Sequence, residues 1–147
     1  RKYTGEPYVT HPIAVMEIVQ GVPHTEEMLV AAVLHDTVED TEVTLDDIRA
    51  EFGDTVTEFV DGLTDVSTLE DGNRAERKAL DRAHTAVQSP EVKTIKLADL
   101  IHNTLSIEKH DAQFYKIYRA EKIALLEHLT EGDKTLLHRA QAQVGGF

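Results

Sequence analysis

Four side chains that could do chemistry follow directly after the most apolar stretch of the chain. The segment MLVAAVL has no polar side chain, and the overlapping segment LHDTVEDT then supplies His35, Asp36, Glu39 and Asp40. Burying unpaired charge is costly, so a cation or water must compensate these groups. Residues four apart share one face of a helix, which predicts that the four project together from the last turns of this helix. A divalent cation would explain the cluster, because it neutralises carboxylates and binds neutral imidazole.

Two further polar residues lie in similarly apolar surroundings. His11 lies in PYVTHPIAV, and Asp99 lies in TIKLADLIHN. Together with His35 and Asp36 they form a set of nitrogen and oxygen donors that suits Mn²⁺, Fe²⁺, Co²⁺ or Zn²⁺ better than Ca²⁺ or Mg²⁺. Taken alone, a histidine before proline is usually a cap or turn residue, and an aspartate on an apolar helix usually forms a salt bridge. The hypothesis of a metal site therefore depends on the combination.

Helical periodicity dominates the sequence and predicts an all-α fold, a single compact bundle of helices that positions these groups. Caps, prolines and glycines predict eight helices. They are 12–20, 26–34, 45–52, 55–63, 74–87 and 90–107, followed by two that are capped by Asp111 and Asp133. The second is apolar nearly all round, which predicts that it is the central, buried helix. Phe52 and Ile117 are predicted to face the core. The polar segment 65–73 is predicted to be a loop and the best candidate for a mobile segment.

The composition is typical of a soluble globular domain. The chain has 147 residues, of which 41% are hydrophobic and 29% charged, and we expect one domain over residues 1–147. Without cysteine there is no disulfide framework, which fits a cytoplasmic protein. No apolar run approaches the roughly 20 residues that a membrane span needs, so no membrane contact is expected. The first residue is Arg1 rather than methionine, which is consistent with a trimmed N-terminus.

A formal net charge of −12 argues against nucleic acid as a partner, because phosphate backbones are bound by surplus cations. A small anionic ligand could still bind where cations cluster. The candidates are Arg1, Lys2, Arg74, Arg77, Lys78, Lys93 and Lys96. Lys96 precedes Asp99 by three residues and can reach the same end of the site, whereas the cations after the polar loop could close over a ligand. Each could equally be a solvated surface charge.

The motifs resemble the HD superfamily of metal-dependent phosphohydrolases, and within it the alarmone hydrolase branch of the RelA/SpoT homologues. GEPYVTHPIAV, LHDTVEDT and IKLADLIHN are similar to three motifs of that branch, and FGDTVTEFVDGLTD is similar to a segment between them. The resemblance covers residues 1 to about 107. Because no synthetase or regulatory domain is visible, and because LTDVSTL stands where long bifunctional enzymes tend to have VTKL, the chain is most similar to the small stand-alone hydrolases.

The resemblance implies a reaction and a role for each motif residue. The reaction removes pyrophosphate from the 3′ position of (p)ppGpp and leaves GDP or GTP. Glu39 and Asp40 match the acidic pair that handles the attacking water, and Asn103 matches an asparagine that contacts the ribose. The implied cofactor is Mn²⁺, and its ligands are His11, His35, Asp36 and Asp99.

General chemistry supports a catalytic role for the acidic pair. Hydrolysis of a phosphate ester needs charge neutralisation on its oxygens and a deprotonated water, and a bound metal can supply both. Desolvation and the charge of each acid on the other are expected to raise the pKa of at least one of Glu39 and Asp40 towards neutrality, which suits proton transfer. We predict that one of the two is the general base, and the sequence leaves open which.

Two departures from the family pattern leave the substrate open. Family members often read ADRLHNMR where this chain reads ADLIHNTL, so Leu100 and Leu105 replace polar residues. Recognition of the nucleobase is therefore expected to be less specific. Arg1 and Lys2 compete for the position of an arginine near the base. The alternatives are hydrolysis of (p)ppApp or NADPH, or a non-catalytic HD module that binds a nucleotide. The intact acidic pair favours an enzyme, His102 is interpreted as structural or as support for the ligands, and the oligomeric state is left open.

Overall fold

Helices account for the structure of residues 10–145, the part of the chain that the computed structural model describes. The all-α prediction is confirmed, with no strand among those residues. The helices are α1 (Thr10–Gln20), α2 (Glu26–Leu34), α3 (Thr37–Asp40), α4 (Leu45–Phe52), α5 (Asp54–Leu63), α6 (Arg74–Ala86), α7 (Pro90–His110), α8 (Ala112–Leu126) and α9 (Lys134–Gln143), and a 3₁₀ turn covers Leu69–Asp71. Within the described range, none of the helices has the length and apolarity to cross a membrane.

Most predicted helix starts are confirmed, because the local chemistry decides them, although α1 begins at Thr10 rather than Pro12 and α5 at Asp54 rather than Thr55. The side chain of Thr25 accepts a hydrogen bond from the backbone N–H of Met28 at 3.2 Å, and Asp133 caps α9 in the same way. Such a cap contributes about 1 kcal/mol, since it satisfies an N–H that has no partner inside the helix. Helix ends follow local chemistry as well. The end of α4 is capped by Gly53, which has a φ of 88°, a conformation that favours glycine.

Helix α7, and not α2, lies at the centre of the bundle. α7 packs against α1, α2, α5, α8 and α9, and it is buried along most of its length. The prediction that α2 is the central helix is wrong, because Leu29 and Val30 are only partly buried on the core. Hydrophobicity was misleading here. α7 contains Lys93 and Asp99, which lower its apparent apolarity but are buried and have polar partners.

The core-facing sides of two helices also differ from the prediction. Ile117 is 52% exposed and Phe52 is 49% exposed, so neither belongs to the core. Phe52 is the last residue of α4, directly before the turn at Gly53. In α8 the inward stripe is Tyr118, Lys122 and Leu126, at intervals of four residues, and its middle member is a lysine that a hydrophobic pattern cannot identify.

Candidate active site and metal centre

The HD segment lies at a break between two helices. α2 ends at Leu34, and α3 starts afresh at Thr37, whose hydroxyl donates a hydrogen bond to the carbonyl of Leu34 at 2.7 Å. The prediction that His35, Asp36 and the acidic pair project from one helix is therefore wrong. The break separates the two pairs of residues. His35 and Asp36 lie between the helices, whereas Glu39 and Asp40 lie on the short helix α3.

Four side chains from three parts of the chain converge beside this break. His11 Nε2 lies 2.8 Å from Asp99 Oδ1, and His35 Nε2 lies 3.2 Å from the same oxygen. Asp36 Oδ2 is 3.1 Å from His35 Nε2 and 4.0 Å from His11 Nε2. Both histidines are 2% exposed and Asp99 is 7% exposed, so most of the cluster is shielded from water. The structure brings together all four residues that the sequence predicted as ligands.

Hydrogen bonds behind the cluster orient the two imidazole rings. The Nδ1 of His35 donates to the carbonyl of Ala32 at 2.6 Å, which leaves Nε2 to face the carboxylates. The Nδ1 atoms of His11 and His102 lie 2.7 Å apart, and the two rings are stacked. Metal-binding histidines are commonly held in this way by a partner at the second ring nitrogen. The supporting role predicted for His102 agrees with this contact.

The electrostatics of the cluster favour a positive charge at its centre. Burial by itself lowers the pKa of His35, but hydrogen bonds to Asp36 and Asp99 and their charges raise it to about 10. Burial would raise the pKa of Asp99, yet Lys96 and the two histidines hold it well below its usual range. A site that binds a proton this strongly also suits a divalent cation. The donor atoms of His11, His35 and Asp36 lie within 4.8 Å of one another, and Asp99 contacts both histidines, so the four residues fit a metal ion of the type that nitrogen and oxygen donors hold.

The acidic pair lines the rim of the same pocket. Glu39 and Asp40 are exposed residues of α3, and both face a cavity of about 210 Å³ that the four candidate ligands also line. Partial desolvation and the charges of Asp65 and Asp36 raise the pKa of Glu39 to about 7. The direction agrees with the prediction for one member of the pair. The neighbouring charges that act on it, however, belong to Asp65 and Asp36.

The predicted cations differ in where they lie. Lys96 lines the metal pocket, and its Nζ is 3.5 Å from Asp99 Oδ2. Arg74, Arg77 and Lys78 line a separate basic depression of about 120 Å³ beside the 65–73 loop. Lys93 was wrongly placed near the site, because its amine pairs with Glu131 and lines none of the cavities named here. Arg1 and Lys2 lie outside the described residues.

A third cavity of about 150 Å³ adjoins the metal pocket. The two share Asp65, Lys96, Asp99 and Asn103 in their linings. Asn103 donates a hydrogen bond from Nδ2 to Asp99 Oδ1 at 3.1 Å, and it therefore stands at the boundary. A ligand that occupies both cavities would have to pass it.

Sequence reasoning missed several polar residues of this region. Asp81 accepts hydrogen bonds from the backbone N–H groups of Val66 and Ser67 and from the Ser67 hydroxyl, and so ties the start of the loop to α6. The mobility predicted for this loop stays a prediction. Asp65 directly precedes these anchored residues and faces Glu39. The acid at the end of the buried helix motif GLTD was a signal that could have identified Asp65, whereas no local signal marked Lys122 on α8.

The buried amine of Lys122 predicts a pH-dependent contribution to stability. Burial lowers its pKa to about 8, although Glu108 acts in the opposite direction. Below pH 8 the amine is charged in both the folded and the unfolded chain, and burial of that charge destabilises the folded state. Above pH 8 the folded protein loses the proton first. The stability of the wild type relative to Lys122→Met should therefore rise by about 3 kcal/mol between pH 7 and pH 10.5, measured by urea unfolding. Lys116→Met, an exposed control on the same helix, should show no such rise; equal pH slopes for the wild type and Lys122→Met would contradict the prediction.

Comparison with known proteins shows which proteins the chain is similar to. The sequence profile of the HD domain family matches residues 1–132. The chain is 42% identical to the GTP pyrophosphokinase of Streptomyces coelicolor, over 70% of this chain and 12% of that protein. It is 36% identical to the guanosine-3′,5′-bis(diphosphate) 3′-pyrophosphohydrolase MESH1 of Homo sapiens, over 80% of this chain and 65% of that protein. It thus spans less than two thirds of either relative.

A solved structure shows the same architecture. It is described as a metazoan ortholog of SpoT that hydrolyses ppGpp and plays a role in starvation responses. The TM-score is 0.82 at 30% sequence identity, with 93% of this chain and 79% of that chain covered. The arrangement of helices around the candidate metal centre is therefore one that solved structures share.

Proposed function

This chain belongs to the HD domain family, as its motifs predicted, and on that premise we propose that it hydrolyses (p)ppGpp, releasing pyrophosphate from the 3′ position to give GDP or GTP. The observation that carries the proposal is the convergence of His11, His35, Asp36 and Asp99 in the metal pocket. This pocket opens into the adjoining cavity of about 150 Å³, which we call the ring-sized cavity. The name of the human relative and the description of the solved structure, both for ppGpp hydrolysis, support the same reaction.

The proposed cofactor is Mn²⁺, held by the two histidines and the two aspartates. Its donor set of imidazole nitrogen and carboxylate oxygen suits this ion, and one such ion would supply charge neutralisation at the phosphate and acidify water. The role of the chain is to present the donors in a fixed geometry. The hydrogen bond from His35 Nδ1 to the carbonyl of Ala32 serves that role.

The remaining site residues are proposed to position the substrate and move a proton. Glu39, whose pKa of about 7 lets it accept a proton at neutral pH, is proposed as the general base, with Asp40 orienting the attacking water. Lys96 faces the pocket and offsets the charge of the 3′ diphosphate. Arg77 and Lys78 line the basic depression and suit the 5′ phosphates. Arg1 and Lys2 remain proposed substrate contacts.

The proposal is tested by turnover on a small panel of nucleotides. Mn²⁺-loaded protein is incubated with ppGpp, ppApp and NADPH, and the products are separated by chromatography. Release of pyrophosphate with formation of GDP from ppGpp is the expected result, and a chelator should abolish it. If only ppApp or NADPH is cleaved, the assignment of a guanosine substrate is wrong but the assignment of a phosphohydrolase stands. No cleavage of any of the three would leave a nucleotide-binding module and overturn the enzymatic proposal.

Asn103 is expected to contribute to substrate affinity more than to metal binding. It is proposed to donate a hydrogen bond to the ribose at the boundary between the two cavities. Loss of such a bond costs about 1 kcal/mol or somewhat more, so Asn103→Ala should lower kcat/KM by roughly 5- to 30-fold while the metal content stays unchanged. Steady-state kinetics and metal analysis of the same preparation measure both quantities. Unchanged kcat/KM would contradict the ribose contact.

A further inference from the structure

Lys122 is a buried cation that the proposed mechanism does not use. It is 1% exposed and lies in the inward stripe of α8. Its Nζ donates hydrogen bonds to Thr104 Oγ1 at 2.7 Å and to the Gln143 side-chain oxygen at 2.6 Å. These bonds come from α7 and α9, so three helices hold the amine in one place. A lysine fixed this firmly differs from the flexible lysines of a protein surface.

The hydrogen bonding of this amine is incomplete. An ammonium group has three N–H donors, and residues 10–145 provide acceptors for two of them. Within the same range no carboxylate lies at ion-pairing distance from Nζ, and Glu108 acts on it only from further away. Buried charges are normally paired, because an unpaired one is costly. One donor of the buried amine thus lacks an acceptor within residues 10–145, and a ligand could supply it.

The cavity that Lys122 lines has the size and character for a flat ring. Its volume of about 150 Å³ is that of an engineered cavity that accepts one benzene ring, and because it shares lining residues with the metal pocket, a two-ring base would extend towards that pocket. Leu100, Tyr118 and Leu125 contribute apolar surface. The lining contains as many carboxylates as cations, which makes it a poor site for a phosphate group. The basic depression with Arg77 and Lys78 suits phosphates better.

We propose that this cavity receives the nucleobase of the substrate and that Lys122 donates a hydrogen bond to an oxo group on it, so that Lys122 selects 6-oxopurine over 6-aminopurine nucleotides. The inference rests on the proposed function, because it takes the ligand to be a purine nucleotide. An ammonium has donors and no acceptor, whereas the 6-amino group of adenine is itself a donor. Adenine would thus leave two donors facing each other without an acceptor.

A neighbouring carboxylate strengthens the match with a 6-oxopurine. Glu121 lines the same cavity, and Arg74 holds it by two hydrogen bonds of 2.6 and 3.0 Å. A carboxylate has further lone pairs, which can accept the ring N1–H that a 6-oxopurine carries beside its oxygen. Adenine has an unprotonated nitrogen at that position. A cavity lined by both a donor and an acceptor can therefore serve the oxo group and the N1–H of guanine and hypoxanthine, whereas adenine offers neither.

The test compares the binding of GDP, IDP and ADP to the metal-loaded protein by calorimetry. All three carry the same 5′ diphosphate on the same ribose, so their affinity ratios depend on the base. A hydrogen bond to a charged group discriminates by roughly 10- to 100-fold, and GDP should bind more tightly than ADP by that factor. IDP keeps the oxo group and lacks the 2-amino group, so its Kd should lie within about threefold of the value for GDP.

Two variants assign the preference to one side chain. Lys122→Met keeps the length of the side chain and removes its donors, and it should bring the Kd values of GDP and ADP to within about threefold. Lys116→Met, the exposed control on α8, should keep the wild-type ratio. The proposal is overturned if the wild type binds none of the three, if it binds GDP and ADP equally, if IDP behaves like ADP, or if the preference persists in Lys122→Met.

The wild-type comparison needs no variant, so a folding defect in Lys122→Met leaves the proposal falsifiable. The binding assay is also independent of turnover. A protein with the predicted base preference but without pyrophosphate release from ppGpp would retain this inference and overturn the proposed function. Hydrolysis of ppGpp by a protein that binds GDP and ADP equally would retain the proposed function and overturn this inference.

Discussion

Asn in place of Asp99 is expected to remove the bound metal and to lower pyrophosphate release by about 10³-fold or more. The carboxylate of Asp99 contacts His11 and His35, and Lys96 and Asn103 also point to it. An amide in its place cannot offer the same negative charge to a divalent ion. Several kcal/mol of charge stabilisation in the transition state are then lost, which corresponds to a factor of this size.

Metal analysis after gel filtration and steady-state kinetics measure the two effects of Asp99→Asn. The matched control is Asp61→Asn, which removes an exposed carboxylate of α5 that lines neither the metal pocket nor the ring-sized cavity. It should retain both the metal and the activity. A stoichiometric metal content together with near-wild-type turnover in Asp99→Asn would refute the proposed ligand set.

The second large effect is expected for Glu39→Gln, which should reduce kcat by roughly 10²- to 10⁴-fold without loss of metal. Glutamine keeps the shape of the side chain but accepts no proton at neutral pH. Glu39 is neither one of the four proposed ligands nor part of the close group of donor atoms on His11, His35 and Asp36, so the metal content should match that of the wild type. The signature of a general base is therefore a slow enzyme that is fully loaded.

Two companion variants make the assignment specific. Glu58→Gln, an exposed glutamate of α5, should leave kcat unchanged. Asp40→Asn tests the other member of the acidic pair, and a larger loss in this variant than in Glu39→Gln would transfer the role of general base to Asp40. Wild-type rates in both would remove the acidic pair from the mechanism.

The sequence was sufficient for features that local chemistry decides. Caps such as Thr25 and Asp133 predicted where helices begin, since a side-chain oxygen beside free N–H groups acts within a few residues. The candidate ligands were identifiable because polar residues are rare in apolar segments. His35 and Asp99 were found in this way, and the structure brings them together.

The sequence was insufficient where distant packing decides. The break before α3 was missed because the apolar run MLVAAVL continues up to it, although Asp36 and Thr37 are residue types that favour a helix start. The inward position of Lys122 depends on Thr104 and Gln143, which belong to other helices. The same holds for Asp81, whose partners on the loop are 14 and 15 residues away. Such contacts can be recognised only once the helices are placed.

The contact between His11 and Asp99 has a consequence for how the protein acquires its activity. The two residues are 88 positions apart in the chain, and their side chains are 2.8 Å apart in the folded protein. Closing a loop of that length costs about 4 kcal/mol of chain entropy, which the packing of α1 and α7 against each other and against their neighbouring helices must offset. The site therefore cannot preassemble on a partial chain. During synthesis, the nascent polypeptide should remain hydrolytically silent until α7 has left the ribosome.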